Sequence, residues 1–130
     1  MMQDWPLRIE PLAGYTPAIG RVVGMLTYSR ATTLPAVDGL TLGQLDHLHD
    51  AENNSIGALL AHAVAVERSY QVLTLDALAS RDDAWLDRPV SAAPRINVHW
   101  AWFHVAEDEI NHRGQIRWLR TRLPRRIIEA

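Results

Sequence analysis

Between residues 101 and 123, Ala101, Val105, Asp108, His112, Ile116, Leu119 and Leu123 step by 4, 3, 4, 4, 3 and 4. Steps of three and four keep side chains on one stripe of an α-helix and would scatter them over both faces of a strand. The stretch is therefore expected to be a helix facing a helical core, running from about 96 until Pro124 stops it. Two ionisable groups, Asp108 and His112, occupy the middle of that seam. A carboxylate buried there without a partner is costly, so a partner is required.

The rest of the chain reads as helical too. Thr16 and Pro17 are an N-cap followed by proline at the first helical position. Ile19, Val22, Val23 and Leu26 then recur with helical spacing, giving a helix over about 17–31. ATTLPAVDG breaks it with Pro35 and Gly39, and Thr41 with Gln44 has capping-box spacing for a short connector helix. After Asn54 and Ser55, the residues Ile56, Leu59, Leu60, Ala63, Val66 and Tyr70 share one broad face of a helix extending to about 80. RDDAWLDRPVSAAPR, charged and carrying Pro89 and Pro94, reads as a loop, and no strand pattern is visible. The expected class is all-α, with three long helices and one short one in a single domain over residues 1–130.

His62 lies on the same helix face as Leu59 and Val66, so a second imidazole sits on a core face. If the second long helix ends near 80 and the last begins near 96, His62 and His112 stand 18 and 16 residues from the turn. At about 1.5 Å per residue these are roughly 27 and 24 Å, so in an antiparallel pair the two rings meet at one level. The i, i+4 spacing of Asp108 and His112 lets one helix offer two ligands to one ion. His62, Asp108 and His112 together suit Zn²⁺, Ni²⁺ or Fe²⁺ and leave positions open for water or substrate. The same spacing also fits a plain hydrogen-bonded Asp–His pair with no metal. Because the chain has no cysteine, thiolate ligands and a cysteine nucleophile are excluded.

A formal net charge of −2 gives no general attraction to nucleic acid. Five arginines do cluster at residues 117–126, but they sit at a helix end where cations complement the dipole, and nucleic-acid binding is not expected. No run of 18 uncharged apolar residues suggests a membrane span, and MMQDWPLRIEP lacks the basic-then-apolar order of a signal peptide. The expected location is cytoplasmic.

NSIGALLAHAVAVE at 54–67 and WFHVAEDEINHRGQI at 102–116 are similar to the motifs of one branch of the DinB-like superfamily of bacterial metalloenzymes. GYTPAIGRVVGMLTYSRATT at 14–33 resembles the first helix of that branch. The resemblance covers about half the chain, and HRGQ is its most specific part. It implies a DinB-like helical bundle whose divalent ion is bound by His62, Asp108 and His112, with Asp108 standing where the family usually has His or Glu. His104 is then a supporting residue and not a ligand. It further implies a metal-dependent enzyme of thiol-transferase or hydrolase type acting on a small-molecule substrate. Lacking cysteine, the chain would use a low-molecular-weight thiol as cosubstrate, with Glu67 or Glu107 as a nearby acid or base. The alternative is a non-catalytic dimeric bundle with a residual His-Asp-His cluster. Only about 25 residues separate YQV from INV, too few for the family's crossover and third helix. A shortened bundle would leave Leu73, Leu75, Leu78, Trp100 and Trp102 without cover, so a homodimer is expected.

Overall fold

The computed structural model describes residues 8–71 and 78–128, without the side chains at 67–71, 125 and 128. Helix α1 spans Pro17–Val37, α2 Leu42–Leu45, α3 Ile56–Gln71 and α4 Asp83–Leu86. A hairpin of β1 (Pro89–Val90) and β2 (Ala93–Asn97) leads into α5, Val98–Arg120, and a last turn, α6, covers Arg125–Ile128. The all-α expectation holds in its three long helices. The expected extension of α3 to about 80, the Tyr70 side chain, and Leu73 with Leu75 fall outside the described residues.

Four readings are corrected. First, α1 does not stop near 31 but passes through Pro35 to Val37. Pro35 lies in the last turn, where one lost helical bond is offset by tertiary partners. Ala36 is buried against Ile56, Leu59, Ile116 and Leu119, and Arg120 Nη1 donates to the Ala36 carbonyl at 2.9 Å. Second, the 81–95 segment is not all loop. Asp82 caps α4 by accepting the Trp85 N–H at 2.9 Å, and Pro89 and Val90 pair antiparallel with Asn97 and Ala93. A two-residue strand leaves almost no alternation to read, which is why no strand pattern is visible.

Third, Thr16 is the N-cap of α1 with Pro17 in the first turn, as expected, but its side chain makes no capping bond and donates instead to Asp83 Oδ1 at 2.5 Å. The same oxygen accepts the N–H groups of Ala18 at 2.9 Å and Ile19 at 3.3 Å. A carboxylate borrowed from α4 thus satisfies the free donors and complements the dipole of α1. Those hydrogen bonds, the Thr16 one foremost, hold the Asp83 carboxyl below its ordinary value. Fourth, Leu78 and Trp102 are not uncovered. Both are buried with Ile19, Val22, Val23, Leu86 and Val105, so the segment after residue 77 folds back as part of the core. Trp100 remains exposed, stacked on His104 at 4.8 Å.

The apolar core has two halves. One joins the start of α1 to α4 and the first turns of α5 through Ile19, Val22, Trp102 and Val105. The other joins the end of α1 to α3 and the later turns of α5 through Ala36, Ile56, Leu59, Ile116 and Leu119. Between them runs a polar belt of Ser29, Thr32 and Thr33 on α1 and Asp108, Glu109, His112 and Arg113 on α5. The short α2 closes one end. Its capping box is formed as expected, but Gln44 is also buried and donates to the Ile127 carbonyl at 3.1 Å, pinning α6. Gly20 lets the incoming chain cross α1, since a Cβ there would stand 2.6 Å from the Leu12 nitrogen.

Candidate metal centre

α3 begins at Ser55, whose hydroxyl accepts the Ala58 N–H at 3.1 Å, and Ile56 and Leu59 fix its rotation by packing into the core half shared with α5. His62 follows Leu59 by three residues and so emerges at the level of the polar belt. On α5, Val105 is buried in one core half and Ile116 in the other, which holds the turn carrying Asp108 and His112 between two anchored ends. The expected meeting of the two helices at one level is what the structure contains.

His62 Nε2 lies 3.6 Å from Asp108 Oδ2, and His112 Nε2 lies 3.4 Å from Asp108 Oδ1. The two imidazole rings meet edge to face with centroids 5.0 Å apart. One ligand atom from each of the three residues falls within 4.8 Å of the others. Ligand atoms around a tetrahedral ion with bonds of about 2.0–2.1 Å stand roughly 3.3 Å apart; here the Asp108 carboxylate faces one imidazole with each of its oxygens, and the three donors lie near that spacing.

The environment of His112 adds a second test. Its Nδ1 is 2.7 Å from Gln115 Oε1, an acceptor, so the ring proton belongs on Nδ1. That leaves the lone pair on Nε2, which is buried and has no hydrogen-bond partner among the described residues. A metal-ligating histidine ordinarily donates its other N–H to such an acceptor, which fixes tautomer and ring orientation. The donor set therefore fits a divalent ion. The three residues differ in exposure: the His112 side chain is 15 % exposed, Asp108 24 % and His62 55 %, so the cluster opens toward solvent on the α3 side.

Other candidates are not brought in. His104 Nδ1 pairs with Glu107 Oε2 at 3.0 Å on the exposed face of α5, one more turn away, and this also occupies Glu107. The Glu67 side chain lies outside the described residues. Of the arginine cluster, Arg120 is committed to Ala36, and Arg122 lies over the Trp118 ring at 3.9 Å.

Two features of the site were missed in the sequence. Glu109, next to the ligand Asp108, is buried on the opposite side and accepts a short hydrogen bond from the Ser29 hydroxyl. Arg113 reaches Thr32 by another short bond and lies over Tyr28 at 5.7 Å. The spacing Trp102, Ala106, Glu109, Arg113 and Ile116 traces a second helical stripe facing α1, and it was available as a signal. These polar ties tether α5 to α1 directly behind the ligand pair.

Beside the cluster, Asp108 also lines an open groove of about 1100 Å³ between α1, residues 8–12 and α5, with Met25, Tyr28, Phe103 and Ile110 on its walls. Among the described residues no helix is long and apolar enough to cross a membrane. No protein-family model matches this chain, and no curated protein matches it either.

Proposed function

We propose that this chain is a DinB-like divalent-metal-binding protein in which His62, Asp108 and His112 hold Zn²⁺, Ni²⁺ or Fe²⁺ for a metal-dependent reaction of thiol-transferase or hydrolase type. The observation that carries the reading is the buried His112 Nε2, without a hydrogen-bond partner among the described residues and 3.4 Å from Asp108, while its Nδ1 is held by Gln115. The motifs at 54–67 and 102–116 support the kinship. Three protein ligands leave room for a water or thiolate, whose pKa a bound divalent ion lowers. With no cysteine in the chain, thiol chemistry draws on a small external thiol. Gln115 keeps His112 in the ligating tautomer, Leu59 and Ile116 exclude water from one side, and the groove at Asp108 admits a small-molecule substrate. Metal analysis after gentle purification tests this: about one ion per chain is expected for the native protein, falling well below that for His112→Ala and His62→Ala. Unchanged metal content in both variants sinks the site.

A second reading keeps the bundle and discards the chemistry: a non-catalytic homodimer with a residual His-Asp-His cluster. What favours it is the groove itself, where Ile9, Leu12, Phe103 and Ile110 are 40–59 % exposed. A second copy seated there would remove that apolar surface from water. Sedimentation equilibrium together with the metal analysis separates the readings, since a dimer without metal supports the second and a metal-loaded chain the first.

A further inference from the structure

On the other side of the metal cluster, a cleft of about 570 Å³ opens between the 49–54 loop and the later turns of α5, with Leu59 and Leu119 as its floor. Its volume is that of a small-molecule site. The lining is rich in groups with unspent hydrogen-bonding capacity. His49 Nε2 is buried and has no hydrogen-bond partner among the described residues. The exposed side-chain amides of Asn54 and Asn111 make no hydrogen bond among the described residues and are open to a ligand in place of water, and Gln115, also exposed, uses only Oε1, on His112. Arg122 lies over the exposed Trp118 ring at 3.9 Å, and its Nη1 makes two long contacts, to the Trp118 carbonyl at 3.4 Å and the Thr121 hydroxyl at 3.3 Å. Its Nε and Nη2 make no hydrogen bond among the described residues.

The acidic group in the cleft is engaged by its own turn and does not pair with Arg122. Asp50 is taken up by its own turn, accepting the N–H groups of Glu52 at 3.0 Å and Asn53 at 2.9 Å and the Asn53 amide at 2.6 and 2.8 Å. The Asn53 amide first, then the Glu52 N–H, holds its carboxyl below the ordinary value. A guanidinium edge, the buried His49 Nε2 and carboxamides able both to donate and to accept thus face the cleft above an apolar floor.

We infer that this cleft binds a small organic acid bearing an amide, its carboxylate paired with Arg122 and its amide with His49, Asn54, Asn111 and Gln115. A planar guanidinium with free edge donors is suited to a carboxylate, and stacking on Trp118 pre-orients it. The assignment stands apart from the metal reading, because none of these contacts passes through an ion. Gln115 touches both sites, so the two are joined by one side chain.

The test is a heteronuclear NMR titration of the full chain, freed of metal with a chelator, using N-acetylglycine and its uncharged counterpart N-acetylglycinamide. The acid is expected to saturate with a dissociation constant of about 1 mM or tighter, shifting the Trp118 indole and the Asn111 and Gln115 amide signals. The neutral amide and the Arg122→Gln variant should each bind at least about tenfold more weakly. His49→Ala should weaken the acid while leaving the Trp118 shift in place. Absence of saturable shifts, or equal binding by acid, amide and Arg122→Gln, overturns the proposal. Repeating the titration with zinc keeps the two readings distinct: a chain that binds the acid but not zinc loses only the metal site, and the reverse loses only the cleft.

Discussion

Replacing Gln115 with leucine tests the metal centre without touching a ligand. Gln115 Oε1 is the acceptor that holds the proton on His112 Nδ1, 2.7 Å away, and so keeps the lone pair on the buried Nε2. Leucine is similar in length, favours helix equally and removes that acceptor along with an amide N–H₂ that makes no hydrogen bond among the described residues. Nothing then prevents the ring from adopting the other tautomer or turning toward Asp108. Loss of such a supporting hydrogen bond typically costs 10–100-fold in metal affinity, or about 1.4–2.7 kcal/mol. Because position 115 is exposed, folding stability should move by no more than about 0.5 kcal/mol. The assay is a competition titration of zinc against a chromophoric chelator, with urea unfolding of the metal-free protein as the control. Gln115→Glu restores an acceptor, a stronger one, and is expected to bind at least as tightly as the native chain. Native affinity in Gln115→Leu refutes the reasoning, as does an equal loss in Gln115→Glu, which would mean that shape and not the acceptor matters.

The same physics gives further expectations. Ile116→Ala deletes a fully buried side chain from the core half that carries His112, and should cost about 3–4 kcal/mol in urea unfolding; a loss under about 1 kcal/mol would mean that this half is loosely packed. Gly20→Ala drives a methyl against the Leu12 backbone, so despite alanine's better helix propensity it should destabilise by about 1–2 kcal/mol, measured by thermal unfolding. Asp83 has a folded pKa held below its ordinary value of 3.8 by Thr16 and the Ile19 and Ala18 N–H groups. Its contribution is therefore complete above that value and lost as pH falls through the lower folded one. Asp83→Asn should lose stability at neutral pH and show a shallower acid limb, and parallel pH–stability curves for the two proteins would contradict the cap.

How much was legible depends on the range of the interaction. The seam of α5 and the faces of α1 and α3 follow from apolar spacing, because the pitch of a helix is set by bonds between residues four apart. The pairing of Asp108 with His112 was legible for the same reason, whereas the level of His62 rests on a helix running to about 80, of which 72–77 lie outside the described residues, and a short helix and a hairpin stand between there and α5. The capping box at Thr41 and Gln44 is equally local.

What only the tertiary structure decided involves partners far apart in the chain. Asp83 caps a helix that begins 66 residues before it, at Pro17, Glu109 is buried because Ser29 lies opposite, and Pro35 is tolerated because Ile56 and Ile116 pack on Ala36. The fold-back of Leu78 and Leu86 onto Trp102 belongs to the same class. So does the cleft, where a loop from 49–54 meets side chains of α5. No local periodicity encodes such meetings, since each depends on how the helices pack once all of them have formed. Local pattern thus set which residues face inward, while packing chose which inward polar groups found partners and which, like His112 Nε2 and His49 Nε2, have no hydrogen-bond partner among the described residues.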